Sequence, residues 1–432
     1  MGENDKEFWI LIILLGIIIG AMKLYYVVSR KKKGSDEGKA YYFDNNSTTL
    51  IYDKDVLAEI SYWISCGNPS NVLHDFGKKA RAQVESSRHR IARHLRVSPK
   101  EIYFTSGATE SNNLLIKGVA EHYLEKDPKK VYRIITSSFE HPSVLKVCQF
   151  LAKNPRIKVT YLDPEARSAD PDYGRIKVAT VEAAIKASTE QVILITIMHG
   201  NNETGAVQDL AGIGGLARKY DLLFHTDATQ TMGKYALRPR ALGVNALSFS
   251  GHKFHGPKGV GGLYLNCSCS EIIQLCHGGE QEREFRPGTE NVANIVGLSA
   301  ALEKAHSDRE TKNAILWAKT VGIVKALKTA GVKVRVLGPV TKEHRLPHTL
   351  LLLFPELGTC NKILVGELNA RKIYVSVGSA CQTSHSKSHV LDALQVSDKD
   401  KIKVIRISLS DYTTEEEITY LIKNLVELLG TK

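Results

Sequence analysis

The sequence predicts an α/β fold, and three observations carry that prediction. Seven short apolar runs alternate with longer helical patterns, several of the runs lack polar alternation, and small polar clusters follow five of them directly. Runs without alternation are expected of strands covered by helices on both faces. In chain order they are IYFT at 102–105, RIITS at 133–137, VTYL at 159–162, VILITIM at 192–198, LLFHT at 222–226, ALSF at 246–249 and GLYL at 262–265. Together they predict one seven-stranded mixed sheet.

From about residue 292 the character changes. A helical region containing LSAALEKAH is followed by VKVRVL, LPHTLLLLF, a helix-like KILVGELNARK, the run YVSV, and a final strand and helix from VIRISL onward. This predicts a smaller α+β domain. The expected boundaries are 41–56 for an N-terminal segment of the small domain, 57–300 for the large domain and 301–432 for the small C-terminal domain.

The N-terminus is a separate signal. Residues 8–28 form a 21-residue apolar run interrupted by one cation, Lys23, and at about 1.5 Å per residue this spans roughly 30 Å, one bilayer crossing. A signal peptide would carry its basic flank before the apolar core, whereas here MGENDKE is acidic and RKKK follows. The expectation is therefore a membrane anchor at 1–29 and a charged linker at 30–40, with the catalytic domain facing the cytosol by the positive-inside rule. Lys6 stands where a myristoylation signal needs Ser or Thr, so no lipid anchor is expected.

Composition excludes several classes. With 432 residues, 43% hydrophobic and 24% charged, the chain is long enough for two or three domain-sized units with sizeable cores. The net charge of +12 is partly the local block Arg30, Lys31, Lys32 and Lys33, and no basic stripe interleaved with aromatics argues for nucleic acid. Seven cysteines with no CxxC pair argue for a reduced compartment and against a disulfide framework or a structural zinc site. Cys66, Cys148, Cys276 and Cys360 read as structural, and Cys267 and Cys269 as loop residues. His199, His225, His255 and His277 do not pair with carboxylates or cysteines at ligand spacing, so no metal is expected.

Open α/β sheets bind ligands outside the carboxyl ends of their strands, so the residues after each run are read jointly. After IYFT comes SGATESNN, a tight turn opening a helix, where Thr109 and free backbone N–H groups can take a phosphate. RIITS leads to SFEHP with His141, VILITIM to HGNNETG with Asn202, and LLFHT to Asp227 and Gln230. ALSF leads to SGHKFHGPKG, placing Ser250, His252 and Lys253 at a buried strand end. A lysine kept partly neutral by burial, beside groups that hold a phosphate, is what pyridoxal phosphate chemistry requires.

The ordered motifs FTSGATESNN, EHPSVL, NNETGAVQ, HTDATQ, SFSGHKFHGPKG, GGEQE, RPGTEN and GSAC resemble the class V aminotransferase-like family of cysteine desulfurases and selenocysteine lyases. The resemblance runs from about residue 42 to the C-terminus and implies a pyridoxal-phosphate-dependent transferase fold of type I. It implies pyridoxal 5'-phosphate joined to Lys253, with phosphate contacts at Thr109, Ser250 and His252 and a further cofactor contact at Ala108. It further implies His141 over the ring, Asp227 on the ring nitrogen, and Asn202 and Gln230 near the ring hydroxyl. Thr289 would reach the cofactor of a partner subunit, implying a homodimer. Arg406, with Asn202, would hold the substrate carboxylate, Cys381 matches the catalytic cysteine, and His141 would serve as acid and base for the thiol protons. The implied reaction takes sulfur from L-cysteine, leaving a persulfide on Cys381 and releasing alanine. A sulfur-acceptor protein, such as an iron-sulfur scaffold, would take the sulfur.

The chain also departs from that family's pattern. DNNSTTL carries Ser47 and Leu50 where alanine and proline are usual, Ser410 replaces a common glycine, and Asp411 stands where a basic residue is frequent. Two other functions stay open at this stage. One is a selenocysteine lyase, which shares almost all of these motifs. The other is a membrane-tethered, non-catalytic scaffold, against which the intact Lys253, Asp227 and Cys381 argue.

Overall fold

The computed structural model describes residues 39–267, 269, 272–377 and 388–430. After the short strand β1 (Tyr41–Tyr42) come β2 (Ile102–Thr105), β3 (Tyr132–Ser137), β4 (Ile157–Leu162), β5 (Gln191–Thr196), β6 (Phe224–Asp227), β7 (Ala246–Ser250) and β8 (Gly261–Leu265). β2 to β8 form one seven-stranded sheet in the order β2-β8-β7-β6-β5-β3-β4. β3 to β7 pair in parallel, and β8 runs antiparallel to both β2 and β7. The sheet is therefore mixed, and each apolar run falls in its own strand.

Burial explains the missing alternation. All five residues of β7 and of β8 are buried, as are all but the first of β5. Two apolar cores cover the faces. One joins Ile102, Phe104, Ile195, Leu247 and Phe249 to residues of helix Val292–His306, and the other joins Leu114, Leu115 and Val119 of helix Ala108–Lys126 to Ile134, Leu194 and Leu263. The run VILITIM overshoots its strand because the Met198 N–H leaves the ladder and donates to Glu140 Oε1 at 2.8 Å. LLFHT starts early because the Leu222 N–H caps the preceding helix on Ala217 O.

The C-terminal part builds β9 (Arg335–Val336), β10 (Thr349–Leu353), β11 (Ile373–Tyr374) and β12 (Val404–Ser408). β12, β10 and β9 form a three-stranded antiparallel sheet, and β11 pairs in parallel with β1. Phe43, just after β1, packs with Leu350, Leu352, Ile405, Ile407 and the helix residues Leu421 and Leu425 in a third core. The N-terminal strand thus crosses to the C-terminal sheet and carries residues 44–50 past the end of β7, where Thr49 bonds His252 O.

The membrane expectation is corrected. Among the described residues no helix is long and apolar enough to cross a membrane. The longest, Asp75–Leu95 and Arg309–Thr329 at 21 residues each, carry several charges and turn only part of their surface to the cores. The run at 8–28 lies outside the described residues. An apolar stretch in the sequence does not establish a span, and the single-pass, cytosol-facing localisation is withdrawn.

Candidate active site

Parallel strands bring their carboxyl ends to one edge, and there a cavity of about 390 Å³ opens. Ala108, Thr109, His141, Asn202, Asp227, Gln230, Ser250, His252, Lys253 and Arg406 all line it. Residues expected from five separate strand ends therefore meet around one space, joined by Arg406 from β12. Thr289 does not line it and is exposed. Cys381 lies outside the described residues, although Ser376 lines the cavity.

At one end is the amino terminus of helix Ala108–Lys126. Its N-cap Gly107 has φ +151, which a side chain would strain, and offers no capping side chain. Ala108 N–H donates to Ser250 Oγ at 2.8 Å, so hydroxyl and helix terminus face one spot. His252 approaches Thr48 Oγ1 through Nδ1 at 3.1 Å, and burial, then the charges of Lys253 and Lys258, pulls its pKa down to about 4. This is a donor-rich anion cradle.

Asp227, 4% exposed, sits at the end of β6. Its Oδ2 accepts from Asn112 Nδ2 at 2.8 Å and its Oδ1 from Thr229 N at 2.9 Å. The same Asn112 amide donates to Ser143 Oγ at 2.9 Å, and that hydroxyl lies 2.8 Å from His141 Nδ1. Ser143 N–H also donates to Nδ1 at 3.2 Å, so Nδ1 accepts and the proton of the neutral ring belongs on Nε2. Burial is the main cause holding the His141 pKa below its ordinary value.

Lys253 Nζ donates to the carbonyl oxygens of Asn46 and Ser47 at 2.6 and 2.9 Å. Burial first, then the charges of Arg406 and Lys234, lowers its pKa from 10.5 to about 7. A base depressed in the folded state binds fewer protons there than when unfolded, so stability rises with pH between about 7 and 10.5. Cofactor-free protein should accordingly be less stable than cofactor-free Lys253→Met at pH 6. The gap should be constant below pH 7 and close as pH rises toward 10.5, and denaturant unfolding across that range checks it.

Arg406 closes the other end, and its side chain is only 3% exposed. Nη2 donates to Asp44 Oδ1 at 2.6 Å and to Ser47 Oγ at 2.7 Å, and Nη1 to Asn202 O at 3.0 Å. Its Nε is buried with no hydrogen-bond partner among the described residues. Asp44, Asn46, Ser47, Asn112, Ser143 and Ser376 were not anticipated as site residues. Asn112 had a readable signal, since it lies four residues past Ala108 and so shares its helix face. The contacts of Asp44 and Asn46 to β12 and β10 are made across more than 300 residues and had none.

These residues fit pyridoxal phosphate. The cradle suits its phosphate, Asp227 suits a ring nitrogen, Lys253 supplies an amine near neutrality, and the cavity falls within the ordinary size of cofactor sites.

The known relatives agree. The Aminotransferase class-V family matches residues 41–421, beginning after the N-terminal apolar run. "Cysteine desulfurase IscS" of Dictyoglomus turgidum is 38% identical over 369 residues, covering 84% of this chain and 89% of that protein. "Putative cysteine desulfurase IscS 1" of Bacillus subtilis is 38% identical over 367 residues, covering 84% and 92%. Among solved structures, a "NIFS-LIKE PROTEIN" superposes with a TM-score of 0.79 at 37% identity, covering 90% of this chain and 99% of the other. "SspA in complex with cysteine" gives 0.71 at 35% identity, covering 87% and 100%. The chain belongs to the class-V aminotransferase family, among its pyridoxal-phosphate-dependent cysteine desulfurases.

Proposed function

We propose that this desulfurase works through Lys253, His141, Arg406 and Cys381, with the cofactor held by Ala108, Thr109, Asn202, Asp227, Gln230, Ser250 and His252. The observation that carries this reading is the meeting of Lys253, Asp227, His141 and Arg406 around one cavity. Pyridoxal phosphate, when bound, supplies the electron sink that lets a substrate Cα–H bond ionise.

The chain's own groups divide the remaining work. The Asp227 carboxylate, held by Asn112 and the Thr229 N–H, would favour a proton on the nitrogen of a pyridine ring held beside it. Lys253, with a pKa near 7, takes and returns a proton close to its resting acidity. His141, which lines the cavity with its Nδ1 held by Ser143, serves as acid and base for the thiol protons. Cys381 would attack the substrate sulfur as a thiolate, so that its own S–S bond forms as the substrate C–S bond breaks; the electron pair of that bond stays with the substrate carbon, which takes a proton to become the methyl group of alanine, and a persulfide is left on Cys381.

The flanks of the Cys381 segment favour that assignment. Ser376 lines the cavity, while His389 Nε2 donates to Glu140 O at 2.9 Å, next to His141. Five residues extend at most about 17 Å, enough for Cys381 to enter from Ser376.

Arg406, whose guanidinium lines the cavity, is the group that would hold the substrate carboxylate. Arg406→Gln should raise KM for cysteine by about 10- to 100-fold, the worth of a charge-assisted bond. Steady-state assays of alanine and sulfide test both the substrate and this residue. Turnover of selenocysteine without turnover of cysteine would replace the proposal with a selenocysteine lyase.

We also propose a homodimer completed by Thr289 of each subunit, and an acceptor protein for the sulfur. Tyr62, Ile64, Leu73 and Phe76 are 71 to 90% exposed, an apolar group suited to burial by a second copy. Gln281 bonds Ser70 at 3.2 Å, which brings this segment beside the stretch leading to Thr289. The domain division is proposed as 57–300 around the large sheet, with 41–56 and 301–432 around the core containing Phe43.

A further inference from the structure

A second, smaller chamber also has Lys253 in its wall. It measures about 20 Å³, room for one atom-sized occupant. Lys234, Arg309, Lys312, His348, Ser410 and Asp411 line it. The side chains of Lys234, Arg309 and Lys312 outnumber the single carboxylate of Asp411, while the Lys253 ammonium is engaged by the carbonyls of Asn46 and Ser47.

In this wall the donors outnumber the acceptors, although Asn45 Oδ1 is a buried oxygen without a hydrogen-bond partner among the described residues. Lys234 Nζ donates to the main-chain oxygen of Lys253 at 2.9 Å and has no salt bridge among the described residues. Lys312 Nζ donates to Lys304 O at 2.7 Å and stands 3.8 Å from Asp411 Oδ2. His348 is 1% exposed, and neither ring nitrogen has a hydrogen-bond partner among the described residues. Burial, then the charges of Lys234, His255 and Arg406, keeps that ring neutral, with one N–H to give. Burial also draws the Lys234 pKa down to about 8, a penalty that a counter-ion would relieve. The Asp411 charge limits the excess and favours a singly charged ligand.

We propose that this chamber binds one monatomic anion, chloride in the cell, through Lys234, Arg309, Lys312 and a ring N–H of His348. Because Lys234 also holds the main chain of Lys253, occupancy braces the backbone beneath the cofactor lysine. The site is independent of the substrate assignment. The full-length, cofactor-loaded enzyme is titrated with chloride against gluconate at constant ionic strength while Tm is recorded. The expected result is a saturable rise reaching about 3 °C at a hundredfold excess over Kd. Lys312→Met should abolish the rise, and Asp411→Asn, which removes the competing charge, should tighten apparent binding about tenfold. A bromide soak of crystals should give an anomalous peak within hydrogen-bond reach of Lys234 Nζ. Equal Tm responses to chloride and gluconate, an Asp411→Asn affinity no tighter than wild type, or a chamber holding only water after the soak would each overturn the proposal.

Discussion

Lys253→Ala should lower cysteine desulfuration by about 10³-fold or more, while leaving the fold intact. Lys253 combines two demands on one side chain: an amine neutral enough to join an aldehyde, and a base close to a substrate Cα–H. Its depressed pKa, near 7, serves both. Removing a general base alone costs about 10²- to 10⁴-fold, and loss of the covalent anchor adds to that. The cradle at Ala108, Ser250 and His252 does not depend on Lys253, so the variant should still bind the cofactor, with the bound form's visible absorption altered. Lys234 is the internal control. It too is drawn down, to about 8, but it lines the smaller chamber, where its Nζ bonds the Lys253 carbonyl, and it does not line the larger cavity.

Cys381→Ala should abolish the enzyme persulfide and lower sulfide release by roughly 10⁴-fold or more, the scale on which an isolated nucleophile is lost. Cofactor content and absorption should match the wild type, because the residues proposed to hold the cofactor do not include Cys381. That separation distinguishes the nucleophile from the cofactor lysine. Mass spectrometry of the cysteine-treated protein reads the persulfide, and a normal sulfide yield from the variant would remove Cys381 from the mechanism. The buried Cys148, whose thiol is pushed up to about 12 by burial, offers no substitute thiolate near neutral pH.

Much of this was legible in the sequence because the fold is built from continuous buried strands. Runs such as VILITIM and ALSF have no polar face to confuse the period, and parallel pairing sends the residue after each strand to one edge. Knowing that Asp227 follows β6 and Lys253 follows β7 is therefore nearly enough to place them together. Residues 44–47 were not legible as site residues in the same way. They form no strand over the cavity, and they reach it only because β1 pairs with β11 and Phe43 is buried in the C-terminal core. Arg406 illustrates the same limit. Its identity was readable from VIRISL, but its restraint by Asp44 and Ser47 depends on that long-range crossing. The apolar run at 8–28 shows the opposite failure, where a strong local pattern led to a localisation that no helix among the described residues supports.

Borohydride reduction of the cofactor-loaded enzyme, followed by peptide mapping, tests the central claim most directly. Reduction fixes the cofactor to whichever amine holds it, and the account predicts that the label is found on Lys253 alone. Label on Lys234, or on any lysine outside the cavity lined by Asp227, His141 and Arg406, would contradict it.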